Sequence, residues 1–222
     1  MKFFNLAIDG PAGAGKSTIA KKIAKQLGFI YVDTGAMYRA MALYFLRNQI
    51  EATDSEGIER ACPDVDVTIE YKNGEQLVIL NGENVNGLIR TEEVGNMASA
   101  SSVNKAVRLK LVELQQNLAK KENVVMDGRD IGTFVLPNAD LKIYLTASTK
   151  ERARRRWAQL KEKGIEADIN AIEMDIKDRD YRDMNREFAP LKQAEDAIYL
   201  DSSDMSINEV VDKIISLYEE VR

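Results

Sequence analysis

The apolar positions change period several times along the chain, and each change marks an element. Phe3 to Ile8 is a short apolar run interrupted once, suited to a buried strand and far too short to span a membrane. Ile19, Ala20, Ile23, Ala24 and Leu27 then recur at helical spacing, and Phe29-Ile30-Tyr31-Val32 forms a second buried run. A strand, a helix and another strand within this length predict a parallel unit with a right-handed crossover. Further on, Val65, Val67, Ile69 and Tyr71 alternate with polar residues, and Leu77 to Leu80 forms another run. Asn73-Gly74 and Asn81-Gly82 supply turns, so this stretch predicts an antiparallel meander that breaks the strand-helix rhythm. Residues 91–120 read as helical, with Val94, Met97, Ala98, Val107, Leu111 and Leu114 apolar. Asn123 to Asp127, Leu141 to Leu145 and Ala197 to Leu200 are three more strands, and Ile207, Val210, Val211, Ile214, Tyr218 and Val221 form the apolar stripe of a last helix.

Polar residues punctuate these elements. Thr53-Asp54-Ser55-Glu56 has the form of a capping box before a short helix ending near Ala61, Ser148 to Glu151 caps a helix interrupted at Lys163-Gly164, and Ser206 to Glu209 caps the last one. The expected organisation is one α/β domain with a core of residues 1–62, 91–147 and 166–222, an inserted subdomain at about 63–90, and a lid at about 148–165.

Between the first strand and helix stands Gly10-Pro11-Ala12-Gly13-Ala14-Gly15-Lys16-Ser17-Thr18, which meets the pattern G-x-x-x-x-G-K-[ST]. Glycines let successive backbone N–H groups converge on an anion, and the new helix adds its positive dipole end. In such a loop the lysine reaches the β- and γ-phosphates, and the hydroxyl after it holds Mg²⁺. Lys16 and Ser17 occupy those positions.

Bulk composition narrows the chemistry. The chain has 222 residues, a formal charge of −5 and a single cysteine, Cys62, which excludes an internal disulfide and fits a reducing cytoplasmic compartment. Histidine is absent, which excludes Ser-His-Asp and Cys-His schemes and histidine-based metal sites. Asp, Arg, Lys, hydroxyls and an oxygen-bound metal must do the work. The acidic balance speaks against a general nucleic-acid binder, no stretch reaches the length of a membrane span, and no apolar helix stripe is left unclaimed, which leans towards a monomer.

Charged residues cluster at strand ends, where ligands bind in such sheets. Asp33-Thr34-Gly35 follows the second strand and leads to Tyr38 and Arg39, whose fork geometry suits a second phosphate. Asp127-Gly128-Arg129-Asp130 ends another strand, with Asp127 placed for a magnesium shell. Arg152, Arg154, Arg155 and Arg156, with no acid among them, suggest a mobile arginine lid over triphosphate, a solvated face being the plainer alternative. Arg179, Asp183 and Arg186 recur on one helix face. Asn104-Lys105 has the start of a guanine-reading N-K-x-D motif, but Val107 stands at the Asp position, which speaks against a switch GTPase.

These residues resemble the bacterial cytidylate kinases of the nucleoside monophosphate kinase group. The likeness rests on Ile8-Asp9-Gly10-Pro11 into the loop, Asp33-Thr34-Gly35-Ala36-Met37-Tyr38-Arg39, Gly87-Leu88-Ile89-Arg90-Thr91, Asp127-Gly128-Arg129-Asp130-Ile131-Gly132-Thr133, and Arg179-Asp180-Tyr181-Arg182-Asp183 through Pro190-Leu191. It implies a three-layer P-loop kinase fold with a five-stranded parallel sheet, a small antiparallel insertion and a short arginine-rich lid. It also implies Mg²⁺-dependent phosphorylation of CMP and dCMP by ATP, with no nucleic-acid or membrane partner. By the same resemblance, residues Gly10 to Thr18 would bind ATP, and Lys16, Arg129, Arg155 and Arg186 would serve catalysis. Thr34, Ser99, Arg108 and Asp130 would contact cytosine, Arg179 and Asp183 the pentose, and Arg39, Arg129 and Arg186 phosphate oxygens, with Tyr38 and Asp127 completing the CMP set. Ser17 would hold the metal, with Asp33 or Asp127 acting through water. The family commonly has Ser where Thr34 stands, and the hydroxyl is retained.

Rival readings stay open at this level. Another P-loop kinase would act on UMP, AMP or a non-nucleotide alcohol, and a regulatory nucleotide- or RNA-binding protein would use the arginines at 152–156.

Overall fold

The computed structural model describes residues 2–72 and 75–222. Five strands, β1 (Asn5–Asp9), β2 (Ile30–Asp33), β6 (Val124–Gly128), β7 (Leu141–Thr146) and β8 (Ile198–Asp201), form a parallel sheet in the order β2-β6-β1-β7-β8. A second sheet joins β3 (Val67–Lys72), β4 (Glu75–Leu80) and β5 (Glu83–Asn84). Eight helices accompany them among the described residues: α1 (Lys16–Leu27), α2 (Thr34–Arg47), α3 (Ser55–Ala61), α4 (Glu92–Ser101), α5 (Lys105–Ala119), α6 (Thr149–Glu162), α7 (Ile169–Asn185) and α8 (Ile207–Val221). None of them is long and apolar enough to cross a membrane.

The chain divides into two compact units. One contains the residues up to Tyr31 together with Glu122–Arg222, the other Val32–Lys121, so the chain passes between them within β2. In the first unit β1 lies at the centre, pairing in parallel with β6 (Ile8 opposite Asp127, Asp9 opposite Gly128) and with β7 (Ile8 opposite Ile143). Side chains alternate across a strand, so Leu6 and Ile8 share a face. They pack with Ile19, Ile23, Val125, Ile143, Leu145 and Ile214 in one core, which gathers α1, β6, β7 and α8. Phe4, Phe29 and Tyr218 close its edge, Tyr218 meeting each phenylalanine edge-on at centroid separations of 4.9 and 5.7 Å. α6 and α7 pack through a smaller cluster of Ala153, Ile172 and Ile176 flanked by Trp157 and Leu160.

In the second unit the buried face of α2, with Met37, Met41 and Phe45, packs against α4, α5 and β4. β3 and β4 pair antiparallel from Val67 opposite Leu80 to Lys72 opposite Glu75, and the expected Asn73-Gly74 turn lies outside the described residues. The Asn81-Gly82 turn is present. Both residues take positive φ (48° and 83°), the conformation of the tight hairpin turn for which this dipeptide is suited. The helical stretch expected at 91–120 is two helices, and the Asn104 side chain begins the second by accepting the Ala106 N–H at 2.8 Å. One cap differs from expectation: Asp54, not Thr53, begins α3, its carboxylate accepting the Gly57 N–H at 2.8 Å. The cap is shifted by one residue because Asp54 brings a charged acceptor to the positive end of the helix, and no reciprocal box forms, since the third helical residue is then Gly57.

Ile8 sits fully buried on the central strand. Ile8→Ala is therefore expected to cost about 2–5 kcal/mol of stability in urea denaturation, since removal of a core side chain at such a position leaves a cavity that relaxes only in part.

Candidate active site

The phosphate loop follows β1 directly. Gly10 has φ 148°, and a Cβ there would come within 1.9 Å of the Leu145 carbonyl oxygen, so the loop leaves the sheet by a path that excludes any side chain. Gly13 (φ 76°) and Gly15 (φ 89°) also lie in left-handed conformations, and Gly15 stands at the amino end of α1. The loop thus ends at the amino terminus of a helix, where an anion is favoured.

Lys16 is buried and its Nζ donates to the Pro11 carbonyl at 2.7 Å. Burial, reinforced by the Arg129 guanidinium, lowers its pKa well below the usual lysine range despite Asp127, Asp183 and Asp9 nearby. Exposed Ser17 donates its hydroxyl to Asp127 Oδ2 at 2.8 Å, and the Tyr31 hydroxyl donates to Asp127 Oδ1 at 2.8 Å. One carboxylate at the end of β6 therefore bridges the second strand and the phosphate loop.

The crest of the loop is held from both sides. Ala12 donates its N–H to Asp180 Oδ1 at 3.2 Å and accepts from Arg152 Nη1 at 2.7 Å, while Arg152 and Asp180 pair at 2.7 Å. Both side chains are buried, and Arg152 also donates to the Ala147 carbonyl. Of the four clustered arginines, Arg152 is the one bonded to the phosphate loop. Arg155 donates to Glu151 and to Ser202 at the end of β8, Arg154 pairs with Glu151, and Arg156 is exposed. Helical spacing placed Arg152, Arg155 and Arg156 on a shared face but could not order their burial.

Arg129, Asp130, Asp183 and Arg186 form a second charged cluster in this unit. Arg129 Nε donates to Asp183 Oδ2 at 2.8 Å, and Arg186 lies 3.3 Å from Asp130 and 3.9 Å from Asp183. Burial pushes the Asp183 carboxyl up, but Arg129, with Arg179 and Arg186, outweighs it and holds the group below its ordinary value. Asp183 is thus kept as an anion at neutral pH, ready to accept hydrogen bonds.

Thr34, Tyr38, Arg39, Ser99 and Arg108 belong to the second unit. Thr34 is the buried first residue of α2, whose cap is Asp33: one carboxylate oxygen accepts the Ala36 N–H at 3.0 Å and the other pairs with Arg90 at 2.9 Å. A Cβ on Gly35 would lie 3.3 Å from Asp33 Oδ1, a tight approach, and 3.6 Å from Arg39 Nη1, an ordinary contact, so the glycine gives room to the capping carboxylate. The Arg108 guanidinium is buried over the Tyr38 ring, 5.4 Å from its centroid, and donates to the Ser102 carbonyl at 3.2 Å. Ser102 in turn donates its hydroxyl to the Ser99 carbonyl at 2.9 Å, so Ser99, Ser102, Arg108 and Tyr38 form one connected group. Ser99 Oγ, itself buried, has no hydrogen-bond partner among the described residues.

Sequence reasoning singled out neither Asp9, Asp180 nor Tyr31 as site residues. Asp9 had a signal, immediate precedence to the loop, and Asp180 stood inside the motif Arg179 to Asp183; what neither Asp180 nor Tyr31 disclosed was its partner, Ala12 and Asp127 being 168 and 96 residues away.

Comparison with known proteins gives three findings. A family model described as "Cytidylate kinase" matches residues 6–220. The chain is 53% identical to a cytidylate kinase of Caldicellulosiruptor bescii over 100% of its own length and 98% of the relative's, and 49% identical to one from Lactobacillus gasseri over 97% and 94%. Its fold is similar to that of a gluconokinase from Sinorhizobium meliloti, with a TM-score of 0.51 and 11% identity over 99% of this chain and 94% of that one. At that identity the likeness is one of fold.

Because Arg152 and Asp180 are buried together, removing either strands its partner's charge. Asp180→Ala is expected to cost about 3–5 kcal/mol, and the double replacement with Arg152→Ala less than the sum of the two single ones. Equilibrium denaturation of all four proteins measures this coupling, and additive losses would show that the two residues act independently.

Proposed function

The chain belongs to the cytidylate kinase family, and on that premise we propose that it transfers the γ-phosphoryl group of ATP to CMP and dCMP, giving CDP and dCDP. The observation that carries the reading is the phosphate loop itself: three left-handed glycines, a buried Lys16 and a Ser17 hydroxyl joined to Asp127. The loop from Gly10 to Thr18 cradles the ATP phosphates through the amides of Gly13 to Thr18, since Pro11 has no N–H and the Ala12 N–H is given to Asp180. Lys16 Nζ, now bonded to a neutral carbonyl, exchanges that acceptor for phosphate oxygens, which restore its preference for the charged form.

Phosphoryl transfer asks for positioning and charge neutralisation more than for proton chemistry, so a chain without histidine suffices. Arg129, Arg155 and Arg186 neutralise the transferred group and Arg39 the acceptor phosphate. Asp183 and Arg179 bind the pentose. Asp130 accepts from the exocyclic amine of cytosine, Arg108 donates to its ring acceptors, and the Thr34 and Ser99 hydroxyls complete the recognition, with Tyr38 stacked beneath Arg108. The unpartnered Ser99 hydroxyl supports this assignment, because a buried donor without a partner costs about 1–3 kcal/mol until a ligand supplies one. UMP reverses the donor and the acceptor that CMP presents, and would leave the same groups unpaired.

Mg²⁺ fits the oxygen donors present. Ser17 Oγ and Asp127 Oδ2, 2.8 Å apart, offer a hydroxyl and one carboxylate, and no group of three or more acidic, His or Cys side chains able to hold a metal occurs among the described residues. That sparse set suits a cation that keeps waters and substrate phosphates in its shell. Asp127 is the better candidate, since its carboxylate accepts from the neutral hydroxyls of Ser17 and Tyr31, whereas Asp33 is paired with the Arg90 cation, which would compete with a metal. When bound, the ion neutralises charge on the phosphate oxygens. A lone, buried Cys62 supports a cytoplasmic setting, and the protein acts as a monomer, which sedimentation of the pure protein tests.

ADP release is expected with MgATP and CMP or dCMP, to be slow with UMP or AMP, and to stop when EDTA removes the metal. Acceptor-independent hydrolysis alone would overturn the proposal. Lys16→Ala is expected to abolish turnover while CMP still binds. Asp130→Ala is expected to lower kcat/KM for CMP by about one to two decades at saturating ATP, with KM for ATP little changed.

A further inference from the structure

Asp9 belongs to neither substrate in the reading above, yet it is among the most tightly held carboxylates in its unit. It is the last residue of β1, only 5% exposed, and Gly10 of the phosphate loop follows it. Its Oδ1 accepts the Ile131 N–H and its Oδ2 the Gly132 N–H, each at 2.7 Å. These are the first two amides of a single wide helical turn, Ile131–Val135, whose cap position is Asp130. The cap residue makes no side-chain hydrogen bond to the turn, so the carboxylate that a helix start favours comes from a different strand. Gly132 leaves room for it: a Cβ there would lie 3.3 Å from Asp9 Oδ2 and 3.1 Å from Lys142 Cδ.

We infer that Asp9 is a positioning residue for nucleoside monophosphate recognition, fixing Asp130 by capping the turn that begins immediately after it. The backbone torsions of Asp130 (φ −145°, ψ 25°) lie away from both helix and strand, and the two hydrogen bonds on its following residues hold that conformation. The carboxylate of Asp130 is also 3.3 Å from Arg186, so backbone and side chain are anchored separately. Asp9 thereby ties the strand that launches the ATP loop to the residue that reads the acceptor base. Burial, opposed by the two amides, pushes the Asp9 pKa up to about 7, so the strut is maintained at an energetic cost when ionised. The inference rests on the proposed role of Asp130, and the experiment separates the two.

Asp9→Asn keeps the shape but turns an amide donor towards one of the two N–H groups. It is expected to raise KM for CMP about tenfold and to narrow the CMP-to-UMP preference by a similar factor, with KM for ATP unchanged and the fold intact by circular dichroism. Asp9→Glu, which retains two acceptors, should recover part of the loss. Equal changes in KM for CMP and ATP, or none in either, would overturn the inference while Asp130→Ala still lost CMP selectively. If Asp130→Ala spares CMP, the base-reading role fails and the positioning role with it. Should Asp9→Asn not fold, NMR of the unaltered protein decides: the Ile131 and Gly132 amide resonances should shift on adding CMP alone, and unchanged resonances would count against the role.

Discussion

Charge buried at the carboxyl ends of the parallel strands is the constraint on which the first unit depends. Asp9, Lys16, Asp127, Asp130, Arg152, Asp180, Asp183 and Arg186 are all nine-tenths buried or more. An ion taken out of water is tolerated only when it is paired or hydrogen-bonded. Each of them is, and the partners come from different elements: Lys16 to the loop carbonyl, Asp127 to α1 and β2, Asp180 to the loop crest and α6, Arg186 to Asp130, two residues past the end of β6. Helices and strands far apart in the chain are thus locked by groups whose stabilisation is worth little individually and whose loss is expensive. A phosphoryl-transfer site needs such a field of opposed charges, because incoming phosphates must find cations that are held in place rather than solvated.

The second unit solves a different problem. Its helices bury mainly apolar surface, Met37, Met41, Phe45, Val107 and Leu111, with few ions inside. Besides Asp33, which caps α2 and pairs with Arg90, the buried ion is Arg108, only 1% exposed, which rests on the Tyr38 ring and the Ser102 carbonyl. A cation on an aromatic face is partly desolvated and already oriented, a state suited to donating hydrogen bonds to a planar ring. Ser99, joined to the same group through Ser102, holds a hydroxyl that nothing described satisfies. Polar groups so arranged discriminate by the cost of leaving them unmatched, which is steeper than any gain from matching them.

How much of this the sequence disclosed follows the range over which the relevant forces act. The phosphate loop was legible because its glycines, lysine and hydroxyl act within nine residues, and the flanking strand and helix have distinct periods. The five strands, the Asn81-Gly82 turn and the Ser148 and Ser206 caps were legible for the same reason. The α3 cap was misplaced by one residue because Thr53 and Asp54 are both good capping groups and only geometry chooses between them. The clamp on Ala12 was not legible at all. Its two partners lie 168 and 140 residues downstream, and a helical wheel ranks Arg152 no higher than Arg155.

The same reasoning accounts for where buried carboxylates hide their purpose. Asp9 reads in the sequence as the polar end of an apolar strand, a position that ordinarily faces solvent. What keeps it inside is the pair of amides at Ile131 and Gly132, and these have no helical acceptor of their own because they begin a turn. The requirement is mutual: a buried carboxylate needs donors, and the start of a helix needs an acceptor. Neither requirement can be inferred from its own segment, since each segment taken alone has a local way to be satisfied by water. Only the register of β1 against β6, with Asp9 opposite Gly128, brings the two deficits together and excludes the water that would have met both.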